Sequence, residues 1–378
     1  MKSDWLLFGT IVAMVGFGLV MVYSASSVVA QLNPRTNSSF YYAQRQLLWA
    51  AASFIALMFF KRRDYRRLQS PAWAFGSLGM VLFLQILVFF LDSKTHRWFR
   101  LAGVGTLQPS EFAKPALVIF FAYFVTQKRE AINTRRTIAA ASLALAVLAA
   151  TVGLGDLGTA IVLIVPAAVV FYVAGLERKF VLAALVVGAI IAAGFIASKP
   201  YRMARIVGFF DPEYKLIGML DHEGKIKKYV SQSTTRDAGY QVRQSKIAVG
   251  SGGLLGLGLM QGRQKIFYLP EAHTDFIYAV VGEELGLWGC GAILAGFLVI
   301  LGRGLQLYWV AHDDFGRYLA LGVTSSIVIQ ALINMSVVLG MGPTKGIPLP
   351  MISAGGSSLM STLICLGMLL SASEHSGY

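Results

Sequence analysis

Apolar residues along this chain gather into long runs, separated by short segments that are polar or basic. Each run is about 17 residues or longer, enough for a helix to cross a hydrocarbon core of about 30 Å. About ten can be marked, at 5–27, 43–60, 71–91, 109–127, 137–153, 157–175, 180–198, 275–301, 317–340 and 353–371. The pattern predicts an all-α, polytopic membrane protein, a single transmembrane domain over residues 1–378. Its longest interruption, 199–274, is a large polar loop between the seventh and eighth spans. The first run is expected to stay as an uncleaved helix, because it is long and further spans follow it. The stretch "GLGDLGTA" at 153–160 reads either as a turn joining spans five and six or as a broken helix.

Composition agrees with lipid as the main solvent. Hydrophobic residues make up 56% of the chain and charged residues only 14%, with a mean hydropathy of +0.63; soluble domains carry roughly 25% charged residues. The net charge of +14 is not spread evenly. Lys61, Arg62, Arg63, Arg66 and Arg67, then Lys128, Arg129, Arg135 and Arg136, then Arg178 and Lys179, occupy the second, fourth and sixth connections. That is the positive-inside pattern, and it predicts both termini in the cytoplasm and the longer, odd-numbered loops outside. Topology and anionic headgroups account for the charge without nucleic acid. Cys290 and Cys365 fall within predicted spans and give neither a disulfide framework nor a metal cluster. No nucleotide-binding or metal-ligand spacing occurs, which disfavours ATP-driven transport and a protein-held structural metal.

Three polar constellations remain, all on the outer side. In "YLPEAHTDFIYAVVGEELG", 268–286, a helix is expected from Pro270, with Asp275, Glu283 and Gly286 on one face. Asp275 would then lie at the membrane surface and Glu283 about 12 Å deeper. Carboxylates at that depth need partners, so Glu283 and Glu284 are expected to pair with a cation or with backbone donors. Asp275 suits a helix start, and His273 suits a supporting role in the loop. In "HRWFRLAGVGTLQPSEFAKP", 96–115, Gln108 or Ser110 can cap a helix, and Glu111 and Lys114 can pair at i, i+3. The same stretch supports an anion site in which Arg97, Arg100 and Lys114 hold a pyrophosphate; the residues alone leave both open. In "GPTKGIPLPMISAGGSS", 342–358, prolines fix an irregular loop from which Lys345 and Ser353 can reach a headgroup.

Together these stretches, with "GLVMVYSASS" at 18–27, "GDLGTA" at 155–160, "YRMARIVGFFDP" at 201–212 and "GYQVRQSKIAVGSGGLLGLGL" at 239–259, resemble the SEDS family (shape, elongation, division and sporulation proteins). The motifs lie closer to its FtsW branch than to its RodA branch. Gly155 and Ala354 depart from the usual motif residues, and the insert around 213–237 departs from the family. The resemblance implies a peptidoglycan glycosyltransferase of the bacterial cytoplasmic membrane. It would polymerise lipid II onto an undecaprenyl-pyrophosphate-linked glycan at the outer face, for septal synthesis in cell division. It also implies Asp275 as general base and Lys114 as the best match to a functional cation. Arg97, Arg100, Gln108, Glu111, Lys345, Ser353 and His273 would complete the substrate site. The resemblance implies no definite cofactor and leaves open a divalent cation, Mg or Mn, with the pyrophosphate. The implied partners are a class B penicillin-binding protein transpeptidase and division-complex regulators. The rival readings are a lipid II flippase, a non-catalytic scaffold and the elongation polymerase.

Overall fold

The computed structural model describes residues 4–34, 36–92, 95, 97–101, 105–155, 157–197, 202–203, 209 and 238–375. Ten helices answer the ten apolar runs: α1 (Trp5–Leu32), α2 (Tyr41–Arg62), α3 (Pro71–Leu91), α4 (Ala113–Lys128), α5 (Arg135–Gly155), α6 (Leu157–Val173), α7 (Arg178–Ala197), α9 (Ile277–Val310), α10 (Asp314–Val338) and α11 (Gly356–His375). Seven of them, α1, α2, α3, α7, α9, α10 and α11, are long and apolar enough to cross a membrane. The chain is a multi-pass membrane protein. Between the fifth and sixth runs the backbone ends one helix at Gly155 and begins the next at Leu157, and α5 packs on α6.

The long connection holds an element that hydropathy does not reveal. Residues Ala238–Gly252 form α8, which packs along α9. Its polar Ser245 is fully buried and donates 2.6 Å to the Val338 carbonyl at the end of α10. The large loop expected over 199–274 thus contains a helix near its end. The insert at 213–237 and the residue Asp156 lie outside the described residues.

Local chemistry sets several helix ends. Asp4 accepts from the Leu7 amide at 3.0 Å, Ser70 precedes Pro71 at the start of α3, and Asp313 accepts from the Gly316 amide at 2.8 Å. Each short oxygen-bearing side chain satisfies a donor that the first turn leaves free. Within α9 the helix is interrupted at Gly286, whose φ of 63° is strained for any residue with a Cβ.

α10 and α11 are central and buried over most of their length, whereas α7 stands at the edge. α10 packs on α4, α6 and α9, α11 lies along α2, and α1 fits between α2 and α9. Ion pairs close one end of this bundle: Asp4 with Arg303 (2.8 Å), Lys61 with Glu374 (2.5 Å) and Arg129 with Asp314 (2.5 Å). Since Asp4 opens α1 and Glu374 nearly ends α11, the two ends of the transmembrane bundle share that basic end. The β-hairpin β1 (Phe99–Leu101) and β2 (Gly105–Leu107), with Arg100 opposite Thr106, and the proline-rich loop lie at the other, loop-rich end.

At the basic end, Tyr65 is buried, stacks on Phe315 and donates its hydroxyl to Asp313. Burial and that carboxylate push the phenol's pKa up. Tyr65→Phe leaves one Asp313 oxygen short of a donor and is expected to cost about 1.5–3 kcal/mol, measured as a fall in the thermal unfolding midpoint in detergent.

Candidate active site

Residues 271–276 form a tight turn, closed by the amides of Thr274 and Phe276 on the Glu271 carbonyl, each at 3.2 Å. The α9 helix begins only at Ile277. Asp275 therefore stands just ahead of the helix rather than inside it, and the expected start at Pro270 is corrected. The supposed shared face of Asp275, Glu283 and Gly286 falls with it, because helical spacing does not reach back to Asp275. The Asp275 carboxylate is half-buried and lies against Gly346 of the proline-rich loop. A Cβ at residue 346 would come within 2.7 Å of its Oδ2, so any larger residue there would push the carboxylate from this position.

Two amide side chains on α10 hold this arrangement from beneath. Asn334 Nδ2 donates to the Asp275 carbonyl at 2.8 Å and to the Ile347 carbonyl at 2.7 Å. One turn earlier, Gln330 Nε2 donates to the Pro348 carbonyl at 2.8 Å while its Oε1 accepts from Lys114 Nζ at 2.8 Å. Sequence reasoning missed both residues. The signal was there: two amides at i, i+4 in an otherwise apolar span share a face and need partners.

Lys114 is only 5% exposed and also pairs with Glu111 at 2.6 Å, the i, i+3 pair expected from the sequence. Its ammonium is thus committed inside the bundle. Arg100 is exposed on β1 and Arg97 half-exposed beside it. The backbone there is held by Asp92, which accepts from the Arg97 and Trp98 amides and from Thr95; these bonds hold its pKa well below the usual carboxylate range. The single cluster of Arg97, Arg100 and Lys114 is accordingly split into a surface pair and a buried partner. Gln108 does not cap the following helix; its Nε2 donates to Ser110 Oγ, and its own amide donates to Ser357. Ser353 is buried, donating to the Thr274 carbonyl at 2.6 Å and accepting from the Leu349 amide at 2.8 Å, so it joins two loops instead of facing a headgroup. The His273 carbonyl accepts from the Ala354 amide, and its ring packs 4.6 Å from that of Tyr42. Burial lowers the His273 pKa and keeps the ring neutral. Lys345, half-buried, is the neighbour of Gly346 on this loop.

Glu283 and Glu284 are fully buried, and both have partners. Glu283 accepts from the amides of Arg263 (2.7 Å) and Gln264 (3.1 Å). Glu284 accepts from the Met260 amide and Ser24, and pairs with Lys265 at 2.5 Å. Their distance from the basic end can be read along the helix. From Arg303 at the basic end back to Glu284 is 303 − 284 = 19 residues, about 28 Å of helix. That nearly equals the hydrocarbon thickness of about 30 Å. Along the helix axis the glutamates thus lie far from the basic end, toward the loop-rich end.

Comparison with known proteins agrees with this architecture. The model of the "Cell cycle protein" family of FtsW, RodA and SpoVE matches residues 4–378. The chain is 37% identical over 380 residues to "Probable peptidoglycan glycosyltransferase FtsW" of Trichlorobacter lovleyi, covering 98% of this chain and 93% of that one. It is 36% identical over 386 residues to "Stage V sporulation protein E" of Bacillus subtilis, covering 100% and 98%. Among solved structures, a chain of a peptidoglycan synthase complex that coordinates polymerization and crosslinking aligns with a TM-score of 0.76 at 24% identity. The rod shape determining protein RodA of Thermus thermophilus aligns at 0.66 and 23%. Each alignment covers 100% of this chain and 99% of the other.

Asn334→Leu keeps the volume but strips two buried carbonyls of their donor. It is expected to cost about 1–3 kcal/mol, read from thermal unfolding, and to loosen the turn that carries Asp275. A second expectation follows from the His273 ring, neutral in the folded chain. The unfolded ring takes up a proton near pH 6.5 and the folded ring only at lower pH. Stability is therefore full above about pH 6.5 and falls as pH drops below it. His273→Gln should flatten that slope in unfolding midpoints taken between about pH 5 and 7.

Proposed function

The chain belongs to the cell cycle protein family of FtsW, RodA and SpoVE, and from that premise we propose that it is a peptidoglycan glycosyltransferase that polymerises lipid II. The basic end with both termini faces the cytoplasm, by the positive-inside rule, and the loop-rich end faces outward. Synthesis at the division septum fits the FtsW names of its relatives.

The observation that carries the mechanism is the Asp275 carboxylate, half-buried at the loop-rich end and rigidly backed by Gly346 and Asn334. The 4-hydroxyl of the acceptor sugar attacks the anomeric carbon of the lipid-pyrophosphate-linked glycan. Asp275 takes the hydroxyl proton as the new glycosidic bond forms. The bond from the anomeric carbon to the pyrophosphate oxygen breaks, and the lipid pyrophosphate leaves with the bonding electrons. The positive charge it meets comes from Arg97, Arg100 and Lys345, which are not buried. Lys114, buried and paired with Glu111, instead supports the proline-rich loop through Gln330. Among the described residues no three His, Cys, Asp or Glu side chains gather into a metal site. A divalent cation, Mg or Mn, would travel on the pyrophosphate oxygens.

The natural partner of such an enzyme is a single-span class B penicillin-binding protein, which cross-links the strands. A structural relative was solved within a complex that coordinates polymerization with crosslinking, which supports the pairing.

Asp275→Asn is nearly isosteric and removes the base. In an assay of the purified protein with its transpeptidase and labelled lipid II, glycan polymer should fall by about 100-fold or more, with thermal stability retained. Wild-type polymerisation by this variant would overturn the assignment of the base. A protein that moves lipid II across vesicles but makes no polymer would indicate the flippase instead.

A further inference from the structure

The proposed mechanism leaves unused a buried charged group beside α1. Lys265 is 3% exposed, Glu284 0% and Ser24 1%. Lys265 Nζ lies 2.5 Å from Glu284 Oε1 and 3.0 Å from Ser24 Oγ. The Ser24 hydroxyl donates to the same carboxylate, and the Met260 amide donates to Oε2 at 3.1 Å. Next to it Glu283 takes the Arg263 and Gln264 amides, while the amides of Leu257 and Gly258 bond the backbone carbonyls of Glu283 and Glu284. The segment 257–265 is thus fastened, side chain and backbone, to the helix that follows it.

The spacing shows what the fastening encloses. Asp275 lies 275 − 265 = 10 residues after Lys265 and 284 − 275 = 9 residues before Glu284. The ion pair closes a loop with Asp275 at its midpoint. Closing the chain over so few residues restricts how far that midpoint can travel. Stability alone is a weak reason for such a pair, since a buried ion pair repays little more than its desolvation. Ser24 adds a fixed reference: α1 is joined to α9 near this end by Ser24–Glu284 and near the other by Asp4–Arg303.

We propose that Lys265, Glu284 and Ser24 form a latch that holds the 266–276 loop against the start of α9, so that Lys265 and Glu284 are positioning residues for Asp275. The inference rests on the reading of Asp275 as the base. Opening the latch leaves the carboxylate in place chemically but lets it wander. A displacement near 1 Å can cost about 100-fold in rate.

The test compares four variants of the full-length protein in the lipid II polymerisation assay with its transpeptidase. Lys265→Met strands a buried carboxylate, while Lys265→Met with Glu284→Met removes both charges and keeps the volume. Lys265→Arg preserves the charge, and Ser24→Ala removes a single hydroxyl. The double variant should still fold, yet lose about 100-fold in kcat with KM within about twofold. Lys265→Arg should recover most of that rate, and Ser24→Ala should lose a few-fold. Spin labels on cysteines introduced at Glu271 and Leu47, both exposed, report the loop directly, the native Cys290 and Cys365 being buried. Their distance distribution should broaden in the double variant. A folded double variant with wild-type kcat and a narrow distribution overturns the latch. Should the double variant fail to fold, Ser24→Ala decides: unchanged rate and unchanged distribution overturn the proposal. Full polymerisation by Asp275→Asn would instead sink the reading of the base, and leaves the distance measurement to judge the latch.

Discussion

Backbone carbonyls that bend into an apolar bundle lose their water and must find donors in the protein, and at the loop-rich end Asn334 supplies two. One amide group ties the turn at Asp275 to the loop at Ile347, two segments 72 residues apart (347 − 275) that are also joined by Ser353 to Thr274 and Ala354 to His273. Gln330 repeats the device one turn lower and draws in Lys114, and through it Glu111. The irregular backbone of the site is therefore carried by a regular helix. Loops supply the carboxylate proposed as the base, and α10 supplies the rigidity.

The same economy separates the charges by role. At the basic end, pairs such as Lys61–Glu374 and Arg129–Asp314 clip helices together where water still reaches them. At the loop-rich end the buried charges, Lys114, Lys265, Glu111, Glu283 and Glu284, are each engaged by a partner. Asp275, Arg97, Arg100 and Lys345 are charges there that keep some exposure. Burial thus sorts support from chemistry more sharply than residue type does.

Much of this was legible in the sequence, for physical reasons that also mark where legibility stopped. Helices that must satisfy their own backbone in lipid leave long apolar runs, so all ten were visible. Glu111 and Lys114 face each other by helical spacing alone. The partners of Glu283 were invisible, because they are backbone amides of a returning loop and carry no residue signature. Lys265 stands 19 residues from Glu284, beyond any local periodicity. The assumption that Pro270 opens the helix failed, because the tight turn at 271–276 delays the helix to Ile277. Helix α8 escaped notice because its sequence mixes polar and apolar residues that only its contact with α9 sorts out.

The pairing of α2 with α11 has a consequence for biosynthesis. These two are the least apolar of the seven long membrane helices, and each buries part of its polar character against the other. Yet 356 − 62 = 294 residues separate the end of α2 from the start of α11. At ribosomal rates of 5–20 residues per second, α2 waits roughly 15–60 s for its partner. During that interval Gln46 and Ser53, buried in the finished bundle, face lipid or a temporary neighbour. The helix that leaves the insertion machinery early and reluctantly is one a membrane chaperone has cause to hold.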